Sequence, residues 1–141
     1  MPDDIEISTE PQRLDVAFIH DFLRNSYWAQ NIPREVVERS LRHSLCCGAY
    51  QGARQVGFAR AVTDRATFAY VADVFVIPAY RRRGIAKLLV RALLEHPELQ
   101  GLRRFLLATK DAHTLYAQLG FQPLANPEYF MSIHRPDLYR P

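Results

Sequence analysis

A chain of 141 residues, 48% of them apolar, suits one folded unit spanning 1–141 around a hydrophobic core, and excludes a disordered segment. Its formal charge of +3 permits an anionic ligand without requiring nucleic acid. No apolar run approaches the roughly 20 residues of a membrane helix, and the acidic start, MPDD, has no apolar signal region, so the expected compartment is the cytoplasm.

Taken in chain order, IEIS (5–8) reads as a short first strand. Thr9 and Gln12, with Pro11 in the first turn, suit a capping box. Leu14, Ala17, Phe18, Ile19, Phe22 and Leu23 then give a helical stripe. SYWAQNI (26–32) breaks it, and Pro33 suits the first turn of a second helix. SLCCGAYQ and VGFARAVTD read as two strands joined by a turn. Neighbouring Cys46 and Cys47 point to opposite faces of such a strand, so they are read as reduced thiols, at least one of them buried. No charged activator sits beside them, which argues against a nucleophile. The five histidines lack metal-ligand spacing, so no metal site is expected. TFAYVADVFVI (67–77) is a long strand with apolar residues on both faces, as a central strand has. A helix follows Arg83, with Ile85, Leu88, Leu89, Ala92 and Leu93 on one stripe. RRFLLAT (103–109) is a further strand. DAHTLYAQLG (111–120) is a helix with Gly120 just past its end. EYFMSIHR (128–135) reads as a closing strand. The order predicts a layered α+β fold with a mixed, mostly antiparallel sheet and helices on both faces.

The stretch VFVIPAYRRRGIAKLLVRALLEH (74–96) ends a buried strand in three arginines and launches a helix at Gly84. A helix start offers unpaired N–H groups and partial positive charge. Gly84 and the small Ala86 let a ligand approach the backbone, and the arginines add charge, a combination suited to phosphate. Arg81-x-x-Gly84-x-Ala86 after Val76-Ile77-Pro78 resembles the signature of the GNAT superfamily of acyl-CoA-dependent N-acetyltransferases. AHTLYAQLGF (112–121) resembles that family's Ala-x-x-x-Tyr-x-x-x-Gly-Phe element, and the element order fits across nearly the whole chain. The resemblance implies acetyl-CoA as co-substrate. Its pyrophosphate would meet the main chain from Arg81 through Arg82, Arg83, Gly84 and Ile85 to Ala86. Its pantetheine arm would lie along Val74, Phe75 and Val76, where a bulge splays the central strands. Two positions depart from the family pattern. Arg82 replaces a glycine and must turn its side chain outward. Thr109 replaces an asparagine that contacts the cofactor arm, and can donate a hydrogen bond or cap the helix.

The resemblance also implies direct transfer, with Tyr116 protonating the departing sulfur and a main-chain N–H near Phe75 or Val76 meeting the oxyanion. Asp73 is out of place in a strand interior. It reads either as the base that takes the amine proton or as a structural carboxylate held by backbone groups or an arginine such as Arg60. His113 reads as a surface histidine. Tyr27 and Trp28, with Tyr129 and Phe130, supply aromatics for an amine-bearing acceptor. Carboxylates and arginines balance around these elements, which favours a compact small-molecule amine over a polycation. The alternatives are a protein N-terminus or lysine as acceptor, and a basic nucleic-acid-binding module using Arg81–Arg83 and Arg103–Arg104. No nucleic-acid motif supports the latter. No membrane partner is expected, and the resembled family allows a monomer or a homodimer.

Overall fold

The computed structural model describes residues 4–141; the acidic start at residues 1–3 lies outside them. Five strands form one sheet in sequence order: β1 (Ile5–Ser8), β2 (Leu45–Gln51), β3 (Arg54–Thr63), β4 (Phe68–Val76) and β5 (Arg104–Leu106). All neighbours pair antiparallel except β4 and β5, which are parallel. Four α-helices accompany the sheet: α1 (Val16–Arg24), α2 (Arg34–Arg42), α3 (Ile85–Leu94) and α4 (His113–Ala117).

The sheet is buried on both faces. Ile19, Leu23 and Val37 of α1 and α2 pack with Cys46, Phe58 and Phe75 on one side. Ile85, Leu89 and Leu93 of α3 pack with Cys47, Ala49 and Val71 on the other. The adjacent cysteines thus divide between the two cores, both buried and unbridged. Burial pushes the Cys46 thiol up to about 12 and raises the Cys47 thiol as well, so neither is a thiolate near neutral pH. Gly57 sets how close α3 comes. A Cβ there would lie 3.1 Å from both Leu89 Cδ1 and the Phe75 carbonyl oxygen, so a side chain would crowd both by a few tenths of an ångström.

Three local expectations are corrected. The Thr9–Gln12 capping box does not form, because Pro11–Arg13 close a 3₁₀ turn and Leu14 returns to extended backbone. The α1 cap is Asp15, whose carboxylate accepts from the Phe18 N–H at 3.0 Å. The 111–120 helix shortens to α4, although Gly120 ends it as expected: φ is +99°, and the N–H groups of Gly120 and Phe121 donate to the carbonyls of Ala117 and Tyr116. The closing strand at 128–135 is absent. Pro127–Tyr129 form a 3₁₀ turn, and Met131–His134 continue without a ladder partner. The segment touches β5 only through side chains such as Phe130 on Arg104 and forms no ladder with it.

Candidate active site

β4 and β5 pair only at Phe68–Arg104, Ala69–Phe105 and Tyr70–Leu106. Beyond Tyr70 they part, and β4 continues to Val76 with no partner on that side. A bulge accompanies the parting. Arg60 pairs with Ala72 but Phe58 with Phe75, so Ala59 faces two residues of β4, Asp73 and Val74. Asp73 takes the extra-residue conformation, with φ +56°, which Asp tolerates better than most side chains. The inserted residue also shifts the alternation, so Val71 and Val76 both face the α3 core. Phe75 is fixed on the opposite side, its ring stacked on Phe22 at 3.8 Å and 3°. The main chain of Val74–Val76 therefore borders an opening in which β4 has no partner strand on the β5 side.

β4 runs through the 3₁₀ turn Pro78–Tyr80 into the arginine turn. Arg82 and Gly84 both have left-handed backbone, φ +65° and +77°, on either side of Arg83. Such a conformation costs a non-glycine residue about 1–2 kcal/mol, and it leaves the Arg82 side chain exposed, as expected for a residue replacing glycine. A Cβ at Gly84 would meet nothing within 4 Å, so the space in front of it is open. No side chain caps α3, and its first N–H groups face that space unpaired. The arginines divide their work. Arg81 Nε donates to the Val76 carbonyl at 2.8 Å, tying the turn to the end of β4. The Arg83 guanidinium lies over the Tyr80 ring at 4.9 Å.

A cleft of about 640 Å³ occupies the opening. Tyr27 and Trp28, Asp73 and Val74, and Thr109 and Tyr116 all line it, so residues expected from distant parts of the chain do meet. Asp73 is almost enclosed and both its oxygens are engaged. Oδ2 accepts from Arg60 Nε at 2.6 Å, and Oδ1 accepts from Trp28 Nε1 at 2.8 Å. Arg60 donates in turn to the Ser44 hydroxyl at 2.9 Å. Of the two readings of Asp73, the carboxylate held by Arg60 is the one with visible partners. Trp28 is neither a core plug nor a free ring: it is 43% exposed, with Phe22 and Tyr27 packed against it. Thr109 accepts from the Ala112 N–H at 3.0 Å at the head of α4. Tyr116 is buried, and its phenol is raised above its ordinary value, by burial first and by Tyr27 second. It is therefore a neutral O–H at physiological pH. His113 is exposed.

Tyr129 and Phe130 do not line the cleft. Phe130 lies 5.2 Å below the Arg104 guanidinium, at the closed end of the β4–β5 pair, and Tyr129 is 76% exposed. The missing last strand removes the alternation that would have aimed them inward. The C-terminal segment instead supplies His134 and Tyr139, and Lys110 reaches in with its ammonium 5.2 Å from the Tyr27 ring. Arg60 had a sequence signal, a lone charge in an apolar strand. Lys110, His134 and Tyr139 had none.

A bulged central strand parting from its neighbour, followed by a glycine-led turn and helix, is the arrangement that the resemblance to acyl-CoA-dependent acetyltransferases implies. Residues 10–121 match the acetyltransferase (GNAT) family. A provisionally named acetyltransferase of Gibberella zeae is 30% identical over 138 residues, covering 82% of this chain and 77% of that protein. A crystal structure of a GNAT-family protein from Xanthomonas campestris superposes with a TM-score of 0.94 at 48% identity, covering 97% of each chain. A Clostridium acetobutylicum protein named as an acetyltransferase, solved with acetyl-CoA, shares the fold at a TM-score of 0.70 and 13% identity, covering 92% of this chain and 96% of that one. The chain belongs to the GNAT family of acetyltransferases.

Proposed function

We propose that the protein moves an acetyl group from acetyl-CoA to the primary amine of a small molecule by direct transfer. The observation that carries this reading is the opened β4 edge leading directly into the Gly84 turn. Pantetheine amides pair with the main-chain groups that β4 leaves free along Val74–Val76, beside the Val76 carbonyl held by Arg81. The pyrophosphate meets N–H groups from Arg81, Arg82 and Arg83 to Gly84, Ile85 and Ala86. Arg82, exposed and turned outward, reaches toward the 3′-phosphate. The Clostridium relative solved with acetyl-CoA supports the choice of donor.

The neutral amine attacks the thioester carbonyl carbon. A C–N bond forms, the C–S bond breaks, and Tyr116 gives its proton to the departing sulfur. The amine's surplus proton leaves to solvent and Tyr116 regains one. A main-chain N–H near Phe75 or Val76, fixed by the Phe75–Phe22 stack, stabilises the oxyanion. Asp73 has both oxygens occupied, so its assigned role is to hold Trp28 in the acceptor wall rather than to take the amine proton. Around the acceptor, Arg60 and Lys110 balance Asp73 and Asp111, which suits a compact amine.

A panel of amines incubated with acetyl-CoA, followed by free-thiol release, tests the reading. Turnover on small primary amines, with acetyl-CoA raising the melting midpoint, is expected. Release only with peptides or protein acceptors would move the acceptor to the alternative class. No stabilisation by acetyl-CoA would remove the proposal.

A further inference from the structure

The acceptor cleft carries charge that the transfer chemistry leaves unused. Arg60, Asp73, Lys110 and Asp111 line it, and the remaining titratable lining is phenol and imidazole. Arg60 and Asp73 are engaged with each other at 2.6 Å, and the second Asp73 oxygen is taken by Trp28. Neither is open to a ligand as a free charge. Lys110 and Asp111 form no ion pair among the described residues. One ammonium and one carboxylate are therefore left, on neighbouring residues between β5 and α4, so the main chain keeps them close together.

The Lys110 ammonium is turned toward the cleft wall, 5.2 Å from the centre of the Tyr27 ring. A ring face attracts the charge but leaves the ammonium donors free for an oxygen acceptor. Elsewhere the wall is apolar, with Trp28, Ile32, Val74 and Leu107. A volume of about 640 Å³ that also takes the acetyl end of the donor leaves room for one small molecule.

We infer that the acceptor is an amino acid with an apolar side chain, a primary amine whose molecule also carries a carboxylate. The inference rests on the acetyl transfer proposed for this cleft and names the class of amine. Lys110 Nζ donates to the substrate carboxylate in a charge-assisted hydrogen bond. Asp111 attracts the ammonium form as it enters, and the amine loses its proton to solvent before attack. The apolar side chain lies against the Trp28 ring, which Asp73 holds in place. The transfer itself is unchanged: the C–N bond forms, the C–S bond breaks and Tyr116 protonates the sulfur, giving an N-acetyl amino acid and free CoA. An amine without a carboxylate leaves Lys110 without a partner, and a polyamine meets it as a like charge.

Matched acceptors provide the test: leucine, leucinamide and 3-methylbutylamine, and phenylalanine, phenylalaninamide and phenethylamine, each with acetyl-CoA and followed by thiol release. At least one amino acid should exceed its amide and its decarboxylated amine in kcat/KM by about tenfold or more. Intrinsic reactivity runs against the amide comparison, since an amino amide has the less basic amine and holds more of it neutral. Lys110→Met should remove the preference, bringing the amino acid down to the level of its decarboxylated amine, and Lys110→Arg should keep most of it. Amides or simple amines used as well as the amino acids overturn the inference, and so does a preference that Lys110→Met leaves intact. No turnover on the whole panel, in a protein whose melting midpoint acetyl-CoA still raises, overturns it while leaving the donor reading in place. No shift with acetyl-CoA removes both.

Discussion

The two sides of the β4 opening are built by different means. The side we propose for the donor is main chain: one strand end, two left-handed residues and the head of α3, contiguous over Val74–Ala86. The side we propose for the acceptor is side chains gathered from the α1–α2 connection, β3, β4, the segment after β5 and the C-terminal segment. A site of backbone groups recognises what every acetyl-CoA molecule shares. A site of side chains can be exchanged residue by residue to suit different amines. The donor side is therefore the part that short sequence motifs can encode, and the acceptor side depends on the finished fold.

That contrast can be broken in several places. The largest expected effect belongs to Tyr116, which stands where the two sides meet. Tyr116→Phe should lower kcat by about 10²–10⁴-fold with acetyl-CoA affinity nearly unchanged, since the lost interaction belongs to the transition state. Full turnover with chemistry rate-limiting would exclude the assignment. Asp73→Ala comes next. It leaves Arg60 and Trp28 without their acceptor, and should lower stability by about 1–3 kcal/mol, read from the denaturant midpoint. Asp73→Asn keeps the left-handed tolerance and should act mainly on the acceptor KM. A collapse of kcat at unchanged KM would instead make Asp73 the base.

Trp28→Ala should raise the acceptor KM several-fold and leave donor binding alone; equal effects on both substrates would contradict the division into two sides. A last effect, absent at neutral pH, is on alkaline stability. Burial raises Cys46 from 9.0 and Tyr50 from 10.0, each to about 12. The unfolded chain therefore releases these protons first. Stability is fully present below about pH 9 and declines as pH rises toward 12. Cys46→Val should flatten the decline, measured as denaturant midpoint against pH.

Much of the turn and helix geometry proposed to hold the donor was legible because its determinants are local. Val76-Ile77-Pro78, the arginines and Gly84 lie within nine residues, and each has a backbone consequence that can be read in isolation. The sheet with helices on both faces was legible in the same way, from the apolar residues on both faces of 67–77. The acceptor side was legible only in part. Trp28 and Asp73 were both singled out, but the hydrogen bond that joins them spans 45 residues of sequence and follows from the fold alone. The bulge that turns Asp73 toward Trp28 has no composition of its own. The closing strand failed for a related reason. Glu128–Arg135 has strand character, and its Tyr129, Met131 and Ile133 are apolar at alternate positions, but the segment touches β5 only through side chains such as Phe130 on Arg104 and forms no ladder with it.

The central claim is that the main chain around Gly84, reached from the opened β4, holds the acetyl-CoA pyrophosphate. Calorimetric titration of acetyl-CoA into the wild type, Gly84→Val and Trp28→Ala tests it most directly. Gly84 has φ +77° and open space before it, so a branched side chain both strains the turn and fills the approach. Donor affinity should fall by about tenfold or more in Gly84→Val and stay at the wild-type value in Trp28→Ala. Wild-type affinity in a folded Gly84→Val protein would contradict the account.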